Sequence, residues 1–189
     1  MKKSVIILIL LFIVVSCSSS KLIEKPTEKI NVKTHKRKTI IYDYVGFIDI
    51  EKLNFIKKNY KWNNEEVLII NYSQPVKSCH FDNHKINSVT KKFYKEFYEK
   101  IDTENCLNIK VLANGERVRR KLDNISYFDD KDDFLQTIFF ERKKSCFGIL
   151  VIHKNGNYLQ YNGHYSERDV AQYIYDLKNN YLEKYYQKK

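Results

Sequence analysis

The sequence predicts an α/β domain: three layers, α/β/α, around a mixed sheet of about five strands that closes with a hairpin and a helix. Three observations predict it. The run VLIINY at residues 67–72 is apolar without alternation, as a strand covered on both faces must be. A second such run, GILVI at 148–152, leads through Asn155-Gly156 into a return strand, and that dipeptide favours a tight hairpin turn. Between and around these runs lie segments whose apolar residues recur every three to four positions, the period of an amphipathic helix.

Element by element, Thr39-Ile40-Ile41-Tyr42 reads as a short strand. Ile50, Leu53, Ile56 and Tyr60 then share one helical face, with Asp49 as N-cap. VLIINY follows and stops at Ser73-Gln74-Pro75. Val89, Phe93, Phe97 and Ile101 recur every four residues, with Tyr94 and Tyr98 alongside, and give a helix that begins between Cys79 and Ser88. Residues 107–113 form the next central strand, closed by Asn114-Gly115. Residues 116–129 are mixed and receive no element. Phe134, Leu135, Ile138 and Phe139 suggest a short helix with Asp129 or Asp130 near its start. The hairpin is read as a two-residue type I′ turn. After Gly163, Ser166 and Asp169 resemble a capping box, and Val170, Tyr173, Ile174, Leu177 and Tyr181 form the apolar face of the last helix. The order β-α-β-α-β-α-β-β-α calls for parallel strands in the βαβ units and antiparallel strands at the end.

The first 38 residues differ in kind. Lys2 and Lys3 precede an unbroken apolar run over 5–15, a length that suits the core of an export signal and falls short of a membrane span. The run ends Val14-Val15-Ser16-Cys17, followed by three serines. That stretch resembles the lipobox of bacterial lipoproteins. The resemblance implies a signal peptide over 1–16 and cleavage before Cys17. It also implies alkylation of the Cys17 thiol by diacylglycerol, acylation of the new amine with a fatty acid such as palmitate, and a protein anchored to a membrane of the bacterial cell envelope on the side away from the cytoplasm. Two or three acyl chains suffice for stable anchoring. Residues 17–38 are then a lipidated cysteine and polar tether, containing Pro26 and a basic run over 33–38, and residues 39–189 are the folded domain.

Composition agrees with one domain. With 43% hydrophobic and 14% aromatic residues, including 15 Tyr and 11 Phe, the chain has material for a core. Its formal net charge is +11, or +9 once Lys2 and Lys3 are removed. A basic chain invites a nucleic-acid reading, but an exported domain does not meet the genome, so no nucleic-acid partner is expected. The charge is read as solvated surface first and as attraction to anionic lipid or glycan second. Phosphate-binding glycine loops, HExxH and GxSxG are all missing from the sequence, and no cofactor is expected.

The segments VLIINYSQPVKSCH and GILVIHKNGNYLQYNGHYSERDVAQYI resemble, respectively, the second strand with its active-site loop and the C-terminal hairpin and helix of thioredoxin-like envelope oxidoreductases. The resemblance spans roughly residues 39–185 and rests on element order. It implies a thioredoxin-like fold. That family carries Cys-x-x-Cys at a helix start and a cis-proline before the hairpin. Here the first stretch is Val76-Lys77-Ser78-Cys79, and Phe147, preceded by Cys146, stands at the proline position. In such a fold Cys79 lies at a helix N-terminus, where the helix dipole and Lys77 favour thiolate. The loop before the hairpin brings Cys146 to the same place, and Cys106 lies alone at the opposite end of the sheet. Four readings stay open: a structural Cys79–Cys146 disulfide, unpaired or buried thiols, a thiol–disulfide oxidoreductase that uses Cys79 and Cys146 as catalytic residues, and a copper-type metal site from Cys79, His80, His84 and Cys146. The first-ranked function is a binding or structural module with a protein partner in the envelope. The acidic pairs Asp129-Asp130 and Asp132-Asp133 are read as helix capping, His153 and His164 as surface residues, and Trp62 as cover for a core edge.

Overall fold

The computed structural model describes residues 28–33, 40–74, 86–113, 126–140 and 145–186. They form a six-stranded mixed sheet with helices on both faces. In chain order the elements are β1 (Tyr44–Phe47), α1 (Ile50–Tyr60), β2 (Val67–Ser73), α2 (Ile86–Glu99), β3 (Cys106–Leu112), β4 (Phe128–Asp129), α3 (Phe134–Ile138), β5 (Phe147–His153), β6 (Asn157–Tyr161) and α4 (Glu167–Lys178). A short 3-10 turn, Lys131–Asp133, leads into α3, and a last helical turn, Glu183–Tyr186, follows α4. The strand order is β1-β6-β5-β2-β3-β4.

β2 lies in the middle and every residue of it is buried. It pairs parallel with β3 and antiparallel with β5, so the VLIINY and GILVI runs are adjacent, as the sequence predicts. The pleat sends Leu68, Ile70 and Tyr72 into a core with Leu53, Ile56 and Tyr60 of α1 and Leu135 of α3. It sends Val67 and Ile69 into a second core with Phe97 of α2 and Val170, Tyr173, Ile174 and Leu177 of α4. Two cores divided by one sheet are the predicted three-layer arrangement. Trp62 is buried in the first core and its indole N–H donates to the Glu65 carbonyl, so it covers that edge without an unpaired donor.

The helix ends follow local chemistry. The Asp49 carboxylate accepts from the Lys52 amide and starts α1. Ser166 and Asp169 form the full capping box of α4, each side chain accepting from the other's backbone N–H. A Ser166→Ala substitution removes one half of it and should cost about 1 kcal/mol in chemical denaturation. An unchanged denaturation midpoint would show that the cap contributes nothing.

Five features differ from the sequence reading. The sheet has six strands, because the two residues of β4 pair with Val111 and Leu112 at the far edge, inside the stretch left without an element. The first strand is displaced from 39–42 to Tyr44–Phe47 and lies antiparallel to β6 at the opposite edge, not parallel within a βαβ unit. The Asp43 carboxylate fixes that register by accepting from the Asn162 amide at 2.6 Å. Ile40 and Tyr42 serve instead as packing for the second core.

The hairpin carries three linking residues, 154–156, between His153 and Asn157. Gly156 alone of them has positive φ, at 97°, and its amide donates to the His153 carbonyl. That is the three-residue type I turn with a glycine bulge, not the two-residue turn. A Cβ on Gly156 would lie 2.7 Å from the Ile48 carbonyl oxygen, so the position excludes other residues twice over.

Ile50, Phe93 and Tyr181, read on apolar helix faces, are 64%, 57% and 51% exposed, Ile50 at the first position of α1. Phe93 rests on the rings of Tyr94 and Phe97 in its own helix. Tyr181 follows the end of α4, where Asn180 turns left-handed at φ 56° and swings the chain off the helical face. Part of the expected tether also lies on the domain: the Ile30 amide donates to the Lys100 carbonyl, and Ile30 and Val32 pack against the second core.

Candidate functional site

The C-terminal end of β2 is where the sequence places its reactive chemistry. There Ser73 pairs with Phe147, the first residue of β5. One residue on, the Gln74 amide donates to the Cys146 carbonyl at 2.9 Å, and the Gln74 side-chain amide donates to the Ser145 carbonyl at 2.6 Å. Ser145 Oγ accepts from the Phe147 amide. These bonds hold half-buried Cys146 beside the point at which the chain leaves the sheet toward Pro75 and Cys79. Cys17, Cys79, His80 and His84 lie outside the described residues.

Cys106 stands at the other end. It pairs with Val67, the first residue of β2, so the length of that strand, about 20 Å, separates it from the Cys146 end. Among the described residues Cys106 is the free cysteine. Burial pushes its thiol up to about 11, with only partial relief from Lys178, so it is protonated at neutral pH and a poor nucleophile.

Beneath this end, on the α1 face, a half-buried carboxylate organises the packing. Asp130 Oδ1 accepts from the Leu135 amide at 2.9 Å, and Oδ2 accepts from the Gln136 amide at 2.9 Å. The same oxygens accept from Tyr60 at 3.3 Å and from Tyr72 at 2.8 Å. Asp130 therefore caps the helix that follows it, as read from the sequence, and also ties α1 and β2 to α3. Burial raises its pKa, and the four donors only partly oppose that. Burial first, then the neighbouring Asp130 charge, pushes the hydroxyls of Tyr60 and Tyr72 far above the usual phenol range. The Tyr72 ring stacks on Phe140 at 4.1 Å, nearly parallel. Gly148, opposite Tyr72, leaves room for that ring: a Cβ there would lie 2.4 Å from Phe140.

The opposite face carries a second polar cluster that the sequence reading took for apolar helix surface. Asn71 Oδ1 accepts from the hydroxyls of Tyr98 and Tyr165, and its amide donates to Asn108 and to the Ile109 carbonyl. The Lys110 ammonium sits 4.6 Å from the centre of the Tyr94 ring, and burial lowers its pKa. Burial also pushes the Tyr94 hydroxyl up to about 12. Partners 27 and 94 residues from Asn71 leave no period in the sequence that could have announced this cluster.

Both tyrosine clusters hold neutral hydroxyls, which suits them to fixing geometry more than to moving protons. His164 is exposed against the Phe147 ring, as expected of a surface residue. His153 is not: its side chain is 12% exposed, with Nε2 3.3 Å from Glu66. Among the described residues no group of three or more His, Cys, Asp and Glu side chains is placed to hold a metal. Nor is any helix among them long and apolar enough to cross a membrane. Compared with known protein families and with curated proteins, the chain matches none.

Proposed function

We propose that this chain is a lipid-anchored protein of the bacterial envelope whose thioredoxin-like domain has lost its Cys-x-x-Cys and serves as a binding or structural module. The observation that carries the reading is the placement of Cys146. Its carbonyl is bonded to Gln74, five residues before Cys79, at the end of β2 where thioredoxin-like enzymes keep their active-site loop. A single cysteine in that loop leaves no neighbour to resolve a mixed disulfide, so pairing with Cys146 as a structural staple fits better than turnover. The adjacent antiparallel strands VLIINY and GILVI, followed by hairpin and helix, support the resemblance.

The anchor rests on the Val14-Val15-Ser16-Cys17 motif behind its apolar run. Cells fed a labelled fatty acid should mark the wild-type protein, and a Cys17→Ala precursor should remain unlabelled and uncut. Label retained by Cys17→Ala would end the lipoprotein reading. Thiol trapping of the mature protein with and without reductant tests the staple separately.

A further inference from the structure

β1 ends the sheet on one side, and among the described residues it pairs only inward, with β6. The Ile48 amide, just past the strand, donates to the Gly156 carbonyl at 2.9 Å. Backbone groups alternate along a strand. Tyr44 and Gly46 therefore also turn inward, opposite Gln160 and Tyr158, while Val45 and Phe47 turn their N–H and C=O groups out. Those outward groups have no backbone partner among the described residues. Proteins usually guard such an edge with lysine, proline or a cover. Tyr44-Val45-Gly46-Phe47 holds neither lysine nor proline, and Phe47 is 68% exposed. Tyr44, Ile50 and Ile138, which lines the same cleft as Tyr44, are exposed too.

We propose that this edge pairs with the same edge of a second copy of the chain, antiparallel, about a two-fold axis at Gly46. A surface that meets itself must be its own complement, and the outward residues sit symmetrically about Gly46. The register sets Val45 of each copy opposite Phe47 of the other. Each such pair exchanges both of its backbone hydrogen bonds, so every outward group of the strand is used. Val45 and Phe47 share one face of the sheet, so each exposed Phe47 gains the other copy's Val45 as a cross-strand neighbour. Glycine meets glycine on the axis, with no side chain to separate the strands. Charge permits the approach even in a basic chain. The strand itself is uncharged, and the carboxylates that flank it are engaged, Asp43 by the Asn162 amide and Asp49 by Lys52. The exposed side chains at the edge offer roughly 400 Å² of apolar surface, about half of what each copy buries in a standard interface. The dimer is therefore a weak one that depends on concentration.

The test uses residues 17–189 with Cys17→Ser, so that neither lipid nor that thiol joins copies and the result is independent of the anchor. Sedimentation equilibrium from about 10 µM to about 1 mM should fit a monomer–dimer equilibrium. Hydrogen exchange followed by amide NMR identifies the surface. The Val45 and Phe47 amides should exchange about fivefold more slowly at the top of that range than at the bottom, and the Tyr44 and Gly46 amides, bonded to β6, should be slow at both. Phe47→Lys, on an exposed side chain, should raise the dissociation constant by about tenfold or more. Phe93→Lys, at an exposed aromatic of α2, should leave it unchanged. The proposal falls if the chain is monomeric throughout the range, or if a dimer forms without slowing Val45 and Phe47. It also falls if Phe93→Lys weakens association as much as Phe47→Lys, which would mark general stickiness instead of strand pairing.

Discussion

Replacing Asp130 by alanine should destabilise the domain by about 2–3 kcal/mol, the order expected when donors in a part-buried site lose a charged acceptor. The carboxylate receives two backbone amides and two tyrosine hydroxyls, and alanine leaves all four donors without it in that site. Asp130→Asn keeps one acceptor oxygen but turns an N–H₂ toward the Gln136 amide or the Leu135 amide, so it should fall between wild type and alanine. Tyr72→Phe removes one donor and leaves the stack on Phe140, and should cost about 1 kcal/mol. Urea denaturation at neutral pH measures all three. A loss under 1 kcal/mol for Asp130→Ala would mean that the carboxylate is dispensable to the packing of α1, β2 and α3.

The same group fixes the sign of a pH effect. Burial holds the folded-state pKa of Asp130 above the ordinary carboxyl value of 3.8. A group with a raised folded pKa contributes stability that is fully present below its unfolded pKa and is lost as pH rises through the folded one. The stability difference between wild type and Asp130→Ala should therefore be larger near pH 3 than at pH 7. A difference that grows with pH would show that the four donors outweigh burial.

What the sequence made legible is local. Leu53, Ile56 and Tyr60 mark the buried face of α1 because helix period and burial coincide within three turns. Ser166 and Asp169 start α4 because their partners are three residues away. VLIINY declares itself central because both faces of β2 are covered. Legibility ends where the deciding partner is distant. Thr39-Ile40-Ile41-Tyr42 has the composition of a strand, but the register of β1 depends on Asp43 meeting Asn162, 119 residues on. The tyrosines of the two polar clusters read as apolar because nothing near them in the chain shows that Asp130 or Asn71 waits across the fold. Gly156 illustrates the finer limit: Asn-Gly announces a turn, and the contact with Ile48 helps select its length.

Breaking the Cys79–Cys146 bond of the proposed staple should lower the melting temperature by roughly 10 °C. Closing a loop of about 67 residues restricts the unfolded chain by about 4 kcal/mol in the entropy model, and each kcal/mol is worth about 2–4 °C in a domain of this size. Reach is no obstacle, since the five steps from Gln74 to Cys79 span up to about 17 Å and a disulfide needs Cα atoms within about 7 Å. An oxidising envelope would keep such a pair closed. If Cys17 carries lipid as proposed, alkylation of the denatured, unreduced wild-type chain should therefore label one thiol, that of Cys106, and label three after reduction. Cys79→Ser and Cys146→Ser should each label two, and the double variant should melt no lower than either single one, because one bond is lost in all three. Cys106→Ser should leave the trapping pattern of the pair intact. A working redox bond would behave otherwise: it would open in mild reductant, form mixed disulfides with a partner and cost little stability when removed. Turnover of a disulfide substrate by the purified protein, abolished in Cys79→Ser, would replace the staple with an enzyme. Three labelled thiols in the unreduced protein would remove the staple, and Cα atoms of Cys79 and Cys146 well beyond about 7 Å would remove the staple and the enzyme together.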